Sequence, residues 1–65
     1  MAWVAVDKGG RECIYQFRPI KREMDGELMP RYEYSMCLTL PKGSIKKLIG
    51  KDLTWQDKPV ELTED

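Results

Sequence analysis

The residues that could do chemistry in this chain are two thiols, 11 carboxylates and a block of lysines beside a Gly-Ser pair. Cys13 and Cys37 lack the partners a nucleophile needs. The chain contains no histidine, the commonest general base near neutral pH, so only an unusual arrangement would activate either thiol. Two thiols without imidazole also fall short of a zinc site, which takes four Cys or His ligands or three with an open position. Both cysteines are therefore expected to be free and at least partly buried. Carboxylates pair along the chain, Glu23 with Glu27 and Asp52 with Asp57. Neither pair has the apolar surroundings that raise a pKa, so both read as solvated surface. No catalytic, metal or cofactor set results, and a non-enzymatic role without a small-molecule substrate is expected.

The lysines fall in and just beyond Leu40 to Gly50, Leu-Pro-Lys-Gly-Ser-Ile-Lys-Lys-Leu-Ile-Gly. A Walker phosphate loop needs a first glycine, four residues, then Gly-Lys-Ser/Thr; here the lysine precedes the glycine and the first glycine is missing. What remains is a candidate contact for an anion or a nucleic acid, made of Lys42, Ser44, Lys46, Lys47 and Lys51. Such a block could track a phosphate backbone, with Trp55 and Tyr32 or Tyr34 stacking a base. Opposing this, the net charge is zero, the block holds no arginine, and residues 52 to 65 carry five acids against Lys58 alone. Neutralisation of the basic block by the acidic one is the plainer expectation.

The same stretch organises the fold. Pro41 and Gly43 stop a strand, Ser44 can cap a helix, and Ile45, Leu48 and Ile49 share one side of it. Gly50 can turn left-handed and end it. Lys47 stands where a capping box wants Glu or Gln, so tertiary packing must hold this short helix in place. Ahead of it, Tyr32 to Leu40 alternates cleanly, with Tyr32, Tyr34, Met36, Leu38 and Leu40 on one face. This predicts a long strand whose apolar face is buried and seats the helix. At the start, Ala2 to Val6 reads as a central strand, Asp7 to Gly10 as a turn, and Arg11 to Phe17 as the second arm of a hairpin. Residues 18 to 31, between Pro19 and Pro30, read as a loop with a small hairpin about Asp25-Gly26. Met24, Leu28 and Met29 are expected to cap the core there. Pro59 to Leu62 reads as a short edge strand, and Trp3 and Trp55 as core.

A chain of 65 residues makes one domain, 1–65, whose core supplies little net stability without a staple or a partner. No stretch approaches the roughly 18 apolar residues of a membrane span, and a cytoplasmic location is expected. The fold class is α+β: an antiparallel sheet of about four strands with one short helix, the alternative being a five-stranded SH3-like barrel.

Two blocks of wording carry a resemblance. Residues 40 to 50, followed by Leu53-Thr54-Trp55, Asp57 and Pro59-Val60-Glu61-Leu62, with Trp3-Val4-Ala5-Val6-Asp7 at the start, resemble short uncharacterised proteins of gut bacteria and their prophages or mobile elements. The resemblance implies an accessory, intracellular role and assigns no activity, ligand or site residue. Together these observations point to a protein-interaction module, whose partner is another protein or a second copy of itself. A nucleic-acid-binding domain using the lysines at 42–51 is the alternative.

Overall fold

The computed structural model describes residues 2–63; of Thr63-Glu64-Asp65, which the sequence expects to fray, Glu64 and Asp65 lie outside them. Strands β1 (Trp3–Val6) and β2 (Glu12–Tyr15) form the expected hairpin, antiparallel with Ala5 opposite Cys13. The Asp7 carboxylate accepts from the Arg11 N–H at 2.9 Å, and the Gly10 N–H donates to the Asp7 carbonyl, which closes the turn. Strands β3 (Ile20–Lys21) and β4 (Leu28–Met29) make a separate two-stranded hairpin, turning at Asp25 and Gly26 as the sequence predicts. β5 (Cys37–Leu40), helix α1 (Ser44–Ile49) and β6 (Val60–Glu61) follow. The main sheet has the order β5-β2-β1-β6, all antiparallel, with β1 and β2 central and β5 and β6 at its two edges. The sheet stays open rather than closing as a barrel, and the fold is a small α+β domain.

Alternation sends side chains of the sheet to two faces. On one, Val4 and Val6 are buried against Ile45 of α1, with Ile14, Leu40, Ile49, Leu53, Val60 and Leu62 around them. On the other, Ala5, Cys13 and Tyr15 are buried with Trp3 and with Leu28 of the small hairpin. Leu28 thus reaches the core while Met24 and Met29 stay exposed. Trp3 is half-buried with the Arg18 guanidinium 5.4 Å from its ring, so it belongs to the core margin.

The helix start differs from expectation. Its N-cap is Gly43, no side chain of the helix caps it, and the Ser44 hydroxyl instead donates to the Pro41 carbonyl at 2.6 Å. The amides of Gly43 and Ile45 donate to the two carboxylate oxygens of Glu12, at 2.7 and 2.8 Å. A strand residue 31 positions away in sequence caps the helix. Gly50 does end it, at φ 78°, with its N–H on the Lys46 carbonyl.

The long strand is also shorter than its pattern. Tyr32 to Ser35 fold as a turn, with the Ser35 N–H on the Tyr32 carbonyl and the Tyr32 N–H on Ser35 Oγ. The physical reason is the partner. β2 ends at Tyr15, and past the bond from Gln16 N–H to the Met36 carbonyl the chain is drawn off towards Pro19, so there is no strand left to pair. Nor does α1 sit on β5. Six helical residues span only about 9 Å, and Ile45 covers β1 and β2, reaching β5 only at Leu40. Leu38 and Leu48 are left exposed, against the expectation that both are buried.

Candidate interaction surface

The β5 edge can be built from its register. Ile14 lies opposite Leu38 and Glu12 opposite Leu40, and the Gln16 N–H bonds the Met36 carbonyl at 2.9 Å. In an antiparallel ladder, residues that bond the partner alternate with residues whose N–H and C=O point away. Met36, Leu38 and Leu40 therefore face β2, and Cys37 and Thr39 present both backbone groups outward. Beyond them Pro41 has no N–H, and its carbonyl is taken by the Ser44 N–H and hydroxyl. The open stretch consists of two donors and two acceptors, without a charged side chain.

Apolar side chains flank it. Leu38 is 64 % exposed, Met36 68 % and Tyr34 71 %, values typical of polar surface rather than of the buried strand face that their alternation suggested. Tyr32 and Tyr34 stack with centroids 5.2 Å apart and planes 4° from parallel, and both meet Phe17 edge-on at 5.3 and 6.0 Å. The three rings hold one another in place at the N-terminal end of β5.

The other edge is different. The Leu62 N–H bonds the Ala2 carbonyl at 2.7 Å and Val60 lies opposite Val4, so Val60 and Leu62 face β1 and the outward row is Pro59 and Glu61. One outward position lacks a donor and the next carries a charge.

The candidate anion site does not assemble around the helix start. Lys42, Lys46, Lys47 and Lys51 are all exposed, and Ser44 is half-buried. The Glu12 carboxylate already fills the position at the Gly43 and Ile45 amides that an anion would take, and those amides hold its pKa below the ordinary carboxylate value. Among the described residues the ion pairs are Arg11 with Asp7 and Arg22 with Asp25, so the basic and acidic blocks are not joined by one. Trp55, expected in the core, is exposed instead and engaged away from the lysines. Its ring lies against Gly26, the Lys8 ammonium is 5.9 Å from its centroid, and Lys21 Nζ donates to the carbonyls of Trp55 and Asp57.

Cys13 and Cys37 are both free, Cys13 buried and Cys37 exposed. With Tyr15 and Thr39 they line a cleft of about 610 Å³, rimmed by Asp7, Arg11, Asp25 and Glu27. Burial pushes the Cys13 thiol up, and pushes the Tyr15 hydroxyl up as well. Both shifts lower the reactive anionic form near neutral pH. Of the paired carboxylates, Asp57 stays at the surface and accepts from the Thr54 N–H at 2.7 Å, which lowers its pKa, the direction opposite to that of a proton donor.

No family model, curated protein or solved structure matches this chain. What it does must be read from its geometry.

Proposed function

We propose that this chain is a non-enzymatic protein-interaction module that binds an extended segment of a partner along the outer edge of β5. The observation that carries the reading is the outward row of Cys37 and Thr39, two complete donor–acceptor pairs with no charge or proline between them, beside the exposed Tyr34, Met36 and Leu38. Added strands draw affinity from main-chain hydrogen bonds and specificity from alternate side chains. The stacked tyrosines and Met36 supply an adaptable apolar flank for the latter. Exposed Cys37 suits a reducing compartment such as the cytoplasm, where its thiol stays free. An accessory role on a mobile element is compatible with so small a module.

The experiment is an NMR titration of the labelled protein with a pool of uncharged, extended hexapeptides, and separately with single-stranded DNA at low salt. Shifts centred on the amides of Cys37 and Thr39 with peptide are expected. Shifts confined to Lys42, Lys46, Lys47 and Lys51 with DNA, reversed by added salt, would overturn the reading in favour of nucleic-acid binding, for which the four exposed lysines are the supporting observation.

A further inference from the structure

Resting on that reading of the β5 edge, we infer that its partner is a second copy of this chain, paired antiparallel through β5 about a two-fold axis at Leu38. The register follows from which groups point outward. Because Cys37 and Thr39 are the outward pair, the pairing that satisfies all four groups of each strand sets Cys37 opposite Thr39 of the second copy and Thr39 opposite its Cys37. Leu38 then meets Leu38 of the second copy across a non-hydrogen-bonded position, where Cα atoms lie about 4.5 Å apart and side chains are closest. Met36 meets Leu40 on either side. Two four-stranded sheets become one of eight strands, and the exposed Leu38 and Met36, on the α1-bearing face but beyond the reach of the helix, gain apolar neighbours.

Charge selects the same arrangement. The nearest charged residue before β5 is Glu33 and the nearest after it is Lys42, with none between. Antiparallel self-pairing brings the acidic end of each strand to the basic end of the other, whereas parallel pairing brings like ends together. No like charges meet in the paired stretch, which is the condition an isologous contact must satisfy.

The test is sedimentation equilibrium across a concentration series, on the wild-type chain and on Leu38→Lys and Glu61→Lys, with circular dichroism to establish that each is folded. The wild type and Glu61→Lys should reach twice the 7.6 kDa of the chain. Leu38→Lys places two ammonium groups against each other at the axis and should weaken the dimer by about a hundredfold or more. A cross-linking pair fixes the register: in a Cys37→Ser background, Leu38→Cys should form an intermolecular disulfide under mild oxidant faster than Thr39→Cys. A wild-type monomer at every concentration would overturn the dimer. If Cys37 and Thr39 still respond to peptide in that monomer, the interaction module stands with another partner. A dimer indifferent to Leu38→Lys, or Thr39→Cys cross-linking faster, would overturn this interface.

Discussion

The two edges of the one sheet are finished in opposite ways. On β6 the outward row is Pro59 and Glu61, a missing donor and a charge, both of which discourage a further strand. On β5 the outward row is Cys37 and Thr39, with full hydrogen-bonding capacity and no charge from Glu33 to Lys42. Both edges share a core and a length of only a few residues. The difference therefore lies in whether pairing is blocked, and it is blocked on one side alone.

The largest effect tests what both edges have in common. Ile45 is fully buried against Val4 and Val6, and Ile45→Ala should cost about 2–5 kcal/mol, which is most of the stability of so small a domain. Urea denaturation should show the variant largely unfolded, with both edges lost together. A folded variant in which one edge survives would mean that the edges do not depend on one core.

Gly26→Ala should then separate them. Gly26 sits at φ 70°, and a Cβ there would stand 2.7 Å from the Trp55 ring, in a region held by the Lys21 contacts to the carbonyls of Trp55 and Asp57 on the approach to β6. A loss of about 1–3 kcal/mol is expected. Amide exchange should quicken at Val60 and Leu62 more than at Leu38 and Leu40; equal quickening would contradict the division.

Glu12 sharpens the comparison from the other side, since it ties β2 to the helix that follows β5. Glu12→Gln should cost roughly 1 kcal/mol, as loss of a charged cap does. The folded-state pKa of Glu12 is depressed below its ordinary 4.5. Its contribution is therefore full above that value and is lost as pH falls through the folded value. Thermal melts between pH 7 and pH 3 should show this loss in the wild type and a smaller one in Glu12→Gln; parallel curves would contradict the cap. The smallest effect is that of Tyr34→Ala. The outer ring of an exposed stack should cost less than about 1 kcal/mol of stability, yet weaken association along β5 measurably by sedimentation.

Much of this was legible in the sequence, for local reasons. The first hairpin, the turn at Asp25-Gly26, the span Ser44–Ile49 and the edge strand at Val60 are each fixed by a turn former, a cap or a short apolar period. What escaped was set by distant neighbours. Nothing near Gly43 in the chain says that Glu12 will take its amide. The alternation of Tyr32 to Leu40 is real, but it serves the stacking of Tyr32 on Tyr34 beside Phe17 in its first half and a ladder in its second, because β2 ends before the strand can run on. A pattern that predicts a buried face is therefore, at Met36 and Leu38, surface beside an open edge.

The most direct measurement is residue-resolved amide hydrogen exchange in dilute and in concentrated protein. The amides of Cys37 and Thr39 should slow together as concentration rises, while the Leu38 amide is protected throughout and that of Glu61 stays fast. Concentration-independent exchange at Cys37 and Thr39, or slowing at Glu61 instead, would contradict pairing along β5.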